Sequence, residues 1–390
     1  MAQRAASRLA SRVLADRRRV AVVAREITGL SGVTIFIREQ ARRAAAAGWS
    51  VDAIGERVDA GPLSSVGAGV IKLKRGWFRR SSSEWFAEAA AARTRGRYDL
   101  VHGHGDAFDQ DVMSLHNCIH AVHEAVHGAP LDAAAPPAET ARLHERQFHE
   151  GRFRLVVANS KLMRDDIVSR FGVDPARIRV VYPGFDPAQY HPRSRTVAAR
   201  LLRQRLKIGD DEILVGLVTS GDWEKRGVST FIEALGIVSH QASMTVHGLV
   251  TGKERSIGRY RELARVHGVS RRFHVLPPSA ELEPVYGAID VFVYPAQFEE
   301  FGMCVQEAMA SGLPLVAGRR IGATELLDPA AAAVLLDEVT PATVAERLAP
   351  FVESESLRRQ AGALNAASVV RNTWDRSAAD LLAVYQELSA

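Results

Sequence analysis

The sequence predicts an α/β protein of two domains, and three observations predict it. The chain has 390 residues, enough for two domains of ordinary size that each bury a core. Short runs rich in β-branched and aromatic residues alternate with segments of helical spacing, the pattern of strand–helix–strand units. Hydrophobic residues make up 47%, which excludes a disordered chain, and no apolar run approaches the ~20 residues of a membrane-crossing helix.

The first buried strand is RVAVVAR, residues 19–25. A helix follows from about Ser31 to Ala47, closed by Gly48. The Gly29–Gly32 loop then lies at the carboxyl end of that strand, where open α/β sheets bind ligands. The loop is G-x-x-G without G-x-G-x-x-G, so no dinucleotide site is indicated. VDAIG (51–55) is the second strand. Residues 72–96 begin basic and aromatic and become helical, with Lys72, Lys74, Arg75, Arg79 and Arg80 around Trp77 and Phe78. That composition suits a membrane interface or an anionic acceptor, and equally a helix entrance with core aromatics. YDLVHGHG (98–105) and DVMSLHN (111–117) each read as a strand running into a loop. After the Pro- and Ala-rich loop 129–139 a helix runs to about Phe153. In LVVANSKLMRDDIVSRFGV, Ser160 is the expected helix cap and Gly172 the stop.

The second half repeats the alternation. ILVGLVTS (213–220) is a strand, and GDWEKRGVSTFIEAL (221–235) passes through a loop into a helix. SMTVHGL (243–249) and FHVL (273–276) are further strands. Residues 291–318, VFVYPAQFEEFGMCVQEAMASGLPLVAG, carry the sharpest functional signal. VFVYP is a strand closed by Pro295, MCVQEAMASG a helix stopped by Gly312, and PLVAG another buried strand. Glu299 and Glu307 bracket the helix start, and Gly302 lets backbone approach a ligand closely. The N–H groups near Met303, Cys304 and Val305 are placed to receive an anion. A phosphate there, with carboxylates to accept sugar hydroxyls, describes a nucleotide-sugar site.

This stretch resembles the E-x7-E signature of retaining glycosyltransferases of family 4, whose fold is GT-B. The match is the whole context EEFGMCVQEAMASGLPLVAG, with a strand on each side, not the two Glu alone. The resemblance implies two Rossmann-like domains facing an interdomain cleft. Residues 1–186 are then an acceptor-side domain, 187–372 a nucleotide-sugar domain, and 373–390 a helix that packs back on the first domain. It further implies that Lys225-Arg226-Gly227, in the reverse order of the commoner Arg-Lys-Gly, meets the donor pyrophosphate together with Met303, Cys304 and Val305. Glu307 would hold the ribose and Glu299 the sugar. Gly32 would lie near the donor phosphates or the acceptor. His116, in the pair His116-Asn117, would lie close to the transferred sugar; His104 is a weaker candidate. Tyr182-Pro183-Gly184-Phe185-Asp186 resembles the family's P-x-G-x-D turn, and Gly322-Ala323-Thr324-Glu325 its G-x-x-E turn. The expected reaction moves a hexose, as a UDP-sugar, to a glycan or lipid-linked acceptor hydroxyl with anomeric retention. No cofactor or essential metal is expected. A looser likeness to bacterial lipopolysaccharide-core glucosyltransferases suggests a lipopolysaccharide acceptor at the cytoplasmic membrane face.

Two rival readings remain at this level. A sugar-nucleotide epimerase shares the fold and the donor site. A zinc hydrolase would use His123-Glu124-Ala125-Val126-His127, an H-E-x-x-H match with Glu145 as a third ligand. That match lies in a tract from His102 to His149 that holds eight of the thirteen His, where chance matches are common. The charge of +5, with pI about 9.4, is partly local: Arg4, Arg8, Arg12, Arg17, Arg18 and Arg19 crowd the start. A solvated terminus explains them more simply than a lipid-binding arm, and no nucleic-acid motif accompanies the charge. Cys118 and Cys304 form no C-x-x-C pair, which fits a reducing cytoplasm, and no signal-peptide core precedes the first strand.

Overall fold

The computed structural model describes residues 18–29, 31–75, 83–132, 138–192, 196–332 and 335–389. Trp77, Phe78, Arg79 and Arg80 of the basic-aromatic stretch, and Arg4, Arg8, Arg12 and Arg17, lie outside them. The chain divides into two compact units. The first comprises residues 1–119, 131–182 and 374–390; the second comprises residues 120–130 and 183–373.

The first unit holds a seven-stranded sheet, parallel throughout. Its strands are β1 (Arg19–Val23), β2 (Ser50–Gly55), β3 (Gly69–Lys72), β4 (Leu100–Gly103), β5 (Val112–Ser114), β6 (Leu155–Ala158) and β7 (Ile178–Val180). Their order is β3-β2-β1-β4-β5-β6-β7. β1 is an interior strand, pairing Val20 with Val51 on one side and with Leu100 on the other. Its residues alternate between two cores. Val20 and Val22 join Ile37, Val51, Leu100 and Val112, while Ala21 and Val23 join Ile54, Phe86 and Ala90. A strand buried on both faces reads as a continuous apolar run, which is why RVAVV was legible.

Helix α1 (Gly32–Ala46) starts at Ser31, whose side chain accepts from Thr34 N–H. The last helix, Trp374–Ser389, belongs to this unit and packs on α1. Its Leu381, Val384 and Tyr385 enter the same core as β1, and Gln40 of α1 donates to Ser377 at 2.9 Å. Ser160 caps the helix Lys161–Phe171 through Met163 N–H, and Gly172 closes it in the left-handed conformation. β3 was not expected from sequence; its four half-exposed residues precede a basic run and carry little periodic signal.

The second unit holds a five-stranded parallel sheet: β8 (Ile213–Gly221), β9 (Val246–Lys253), β10 (Phe273–Leu276), β11 (Val291–Tyr294) and β12 (Leu315–Ala317), ordered β10-β9-β8-β11-β12. Helix α2 (Val228–Gln241) packs on β9 and against the helix Pro341–Glu353. The division of the chain falls at Tyr182/Pro183 rather than at 186/187, and residues 120–130 go with the second unit. The turn Pro183–Asp186 is held there by Asn372, whose amide donates to Pro183 C=O at 2.8 Å, and by the Phe185–Thr373 bridge. Among the described residues no helix is long and apolar enough to cross a membrane.

Candidate functional site

Both sheets reverse strand order between their first and fourth strands: β1 and β4 in the first unit, β8 and β11 in the second. Open α/β sheets bind ligands at the carboxyl ends of the strands beside such a reversal. In the second unit the loop after β8 carries Lys225 and Arg226, and the loop after β11 carries Glu299 and Glu300. These four side chains meet. Arg226 Nε lies 3.1 Å from Glu299 Oε2 and donates to Tyr294 Oη at 3.1 Å. Tyr294 in turn donates to Glu299 Oε2 at 3.0 Å. Lys225 Nζ sits 2.5 Å from Glu300 Oε2 and 3.7 Å from Glu299 Oε1.

All four are largely buried, so the pairing is electrostatically strong. Burial alone would push the Glu299 carboxyl up, but the charges of Arg226 and Lys225 hold it below the usual carboxylate range. Burial likewise works against the Arg226 charge, and Glu299 more than restores it. The result is a preformed array of two cations against two carboxylates.

The loop is fixed through its backbone. Glu299 N–H donates to Arg320 C=O at 2.9 Å, Gly322 N–H to Glu299 C=O at 3.0 Å, and Ala323 N–H to Phe301 C=O at 2.7 Å. The G-x-x-E turn is thus the clamp of this loop. Two glycines take left-handed backbone that other residues rarely adopt. Gly227 has φ +70°, and a Cβ there would meet Pro295 O at 2.1 Å. Gly302 has φ +83°, and a Cβ there would press on Glu299 Cγ at 3.2 Å.

Helix α3 (Met303–Ala310) starts at Gly302 with no side-chain cap. Val305 N–H closes onto Gly302 C=O at 2.9 Å and Gln306 N–H reaches the same oxygen at 3.4 Å. Val305 is therefore less open to an anion than the sequence suggested, and Met303 and Cys304 carry the free end of the helix. Glu307, one turn on, is the partner of Tyr286. The phenol donates to Glu307 Oε2 at 2.8 Å and lies 3.2 Å from Cys304 C=O. Burial pushes the Glu307 carboxyl up to about 7 against this hydrogen bond. Burial also pushes the Cys304 thiol up, so it is protonated at neutral pH.

In the first unit, Gly32 is the exposed first residue of α1, just beyond the carboxyl end of β1. His116 follows β5 and is half-buried. Its Nε2 lies 2.8 Å from Nδ1 of the buried His104, the ring planes nearly parallel at 7°. Phe36 of α1 packs edge-on against both rings. His102, two residues before His104, bridges Tyr385 Oη and Ser114 Oγ, each at 2.7 Å. Burial lowers all three imidazoles, His116 to about 4 and His102 to about 3, so the cluster is neutral at physiological pH. His104 is the supporting partner of His116.

The H-E-x-x-H segment forms a helix, Ile119–His127, with the His123 and His127 rings 4.5 Å apart. Among the described residues no group of three His, Cys, Asp or Glu could hold a metal ion, so the segment lends the zinc-hydrolase reading no structural support. Sequence reasoning also missed Tyr286, Tyr294 and Glu300 as parts of this arrangement. Both tyrosines look like core aromatics, and their partners are set by the fold rather than by spacing.

Comparison with known proteins agrees with this architecture. The family described as Glycosyltransferase Family 4 matches residues 30–189, and that described as Glycosyl transferases group 1 matches residues 213–354. The chain is 30% identical to a D-inositol 3-phosphate glycosyltransferase of Salinispora tropica, over 77% of this chain and 66% of that protein. It is 26% identical to the enzyme of the same name from Corynebacterium kroppenstedtii, over 91% of this chain and 85% of that protein. Among solved structures it resembles WaaG, a glycosyltransferase involved in lipopolysaccharide biosynthesis, with TM-score 0.78 and 19% identity over 93% of this chain and 99% of that one. It resembles Anabaena HepE in complex with UDP and glucose with TM-score 0.77 and 18% identity, over 95% of this chain and all of that one. The two family matches lie one on each half of a GT-B framework whose E-x7-E loop is intact, and the chain belongs to glycosyltransferase family 4.

Proposed function

We propose that this enzyme transfers a hexose from a UDP-sugar to an acceptor hydroxyl with retention of anomeric configuration. One observation carries the reading. Two cations and two carboxylates converge at the strand reversal of the second unit, beside the open N-terminus of α3. Lys225 and Arg226, with Met303 and Cys304 N–H, would take the diphosphate. Because negative charge grows on the leaving diphosphate, these contacts act on rate as well as affinity. Glu307 would accept from the ribose hydroxyls and Glu299 from the hexose. His116, neutral, would offer a hydrogen bond to the transferred sugar, and Gly32 would lie near the donor phosphates or the acceptor. Two fixed cations fill the charge-balancing role, so the proposed mechanism uses no essential metal. An epimerase shares the donor geometry but needs no acceptor.

For the acceptor, the names of the sequence relatives favour a phosphorylated inositol over a lipopolysaccharide core. The latter rests on likeness in fold at 19% identity. The test is product formation from a panel of nucleotide-sugars, with and without EDTA, against inositol 3-phosphate and a lipid-linked glycan in separate arms. We expect one UDP-sugar to be consumed in an acceptor-dependent, EDTA-insensitive way. Conversion of the donor without acceptor would favour the epimerase, and no response to any nucleotide-sugar would overturn the assignment.

A further inference from the structure

We propose that Tyr286 is a positioning residue that switches Glu307 between a protonated resting state and an ionised, nucleotide-bound state; the proposal rests on the reading of Glu307 as the ribose acceptor. The geometry is a triangle. The Tyr286 hydroxyl has one proton and two acceptors within reach: Glu307 Oε2 at 2.8 Å and Cys304 C=O at 3.2 Å. With Glu307 ionised, the phenol donates to the carboxylate. With Glu307 protonated, the carboxyl O–H donates to the phenolic oxygen and the phenol O–H turns to Cys304 C=O. Every proton has an acceptor in both states, so neither leaves a buried group unsatisfied.

The surroundings suit such a switch. Tyr286 is 1% exposed and is held on the short helix Glu283–Ala288, with Tyr190 packed edge-on against it at 87°. The titratable groups facing Glu307 are Tyr286, Tyr190 and, on its own helix, Cys304; burial pushes all three up, so each is neutral at pH 7. Among the described residues no ion pair joins Glu307 to a cation. Ribose offers two hydroxyl donors, which favour the ionised carboxylate. Nucleotide binding then releases the carboxyl proton to solvent and turns the phenol O–H from Cys304 C=O back to the Glu307 carboxylate.

The experiment is titration calorimetry with UDP in buffers of different ionisation enthalpy, from pH 5.5 to 9. At pH 6 wild type should release close to one proton per UDP beyond what Glu307→Gln releases from the nucleotide's own phosphate, and at pH 8.5 almost none. Tyr286→Phe removes the donor to the carboxylate, so half-maximal release should move to higher pH. UDP should bind about tenfold more weakly at pH 6 and about threefold more weakly at pH 7.5, which corresponds to a carboxyl pKa higher by roughly one. Glu307→Gln should leave only the release from the nucleotide's own phosphate and make added Tyr286→Phe nearly silent. Weaker binding by Tyr286→Phe with wild-type proton release would make Tyr286 mere packing and overturn the proposal, as would no change at all. A separate arm compares UDP with 2′,3′-dideoxy-UDP. If Glu307→Gln keeps the wild-type preference between them, the ribose reading fails, and Tyr286 falls with it.

Discussion

At the scale of single residues, the cations of the donor site also hold the resting protein together. Lys225 neutralises Glu300, which is 3% exposed, so Lys225→Ala has two consequences. It removes a proposed phosphate contact, and it leaves a buried carboxylate without its nearest charge. The second effect is destabilising by about 3 kcal/mol, the low end for breaking a buried pair. The two effects separate in a double variant. Lys225→Met with Glu300→Gln should restore most of the melting temperature and none of the nucleotide affinity. Thermal unfolding and UDP titration of both variants check this. A double variant that regains affinity along with stability would remove Lys225 from the donor site.

At the scale of elements, the site depends on how α3 begins. Gly302 takes the left-handed conformation, which costs an L-residue about 1–2 kcal/mol, and its missing Cβ leaves room for Glu299 Cγ. Gly302→Ala should lower stability by about that amount and turnover by more, because it moves the Glu299 carboxylate. Melting and kinetics of the variant measure the two against each other. This element was legible in the sequence. Strand, polar loop, glycine, helix and stop follow one another within 28 residues. β1, β8 and α1 were legible for the same reason, since burial on a fixed face imposes a period. β3 was not, being short and half exposed. Nor were the side-chain partners. The spacing of Glu299 and Glu307 is visible in one segment, but Lys225, Arg226 and Tyr286 meet them only through the strand order β8-β11 and the helix before β11. The passage of residues 120–130 to the second unit was equally hidden, because no composition shift marks it.

At the scale of the whole molecule, the two units respond to pH in opposite directions. In the first, His102, His104 and His116 are held neutral by burial, with folded pKa values below the ordinary 6.5. A depressed histidine contributes stability that is complete above about pH 6.5 and is lost as pH falls toward 4, because the unfolded chain takes up the proton first. In the second, Glu307 is raised from 4.5 to about 7. Its folded form binds the proton more tightly than its unfolded form, so its contribution is present below 4.5 and is lost as pH rises to 7. The loss amounts to as much as about 3 kcal/mol, with relaxation of the site reducing it. Acid should therefore weaken the first unit, and the rise from pH 4.5 to neutrality the second. The measurement is calorimetric melting from pH 4.5 to 8.5 of wild type, Glu307→Gln and His102→Gln. Glu307→Gln should raise the melting temperature at pH 8 and leave it nearly unchanged at pH 5. His102→Gln loses its bonds to Tyr385 and Ser114 and should melt lower at pH 8, but with a smaller further drop on acidification than wild type. Equal shifts at both ends of the range in either variant would show that its effect is packing, not titration, and would remove that residue from the pH response.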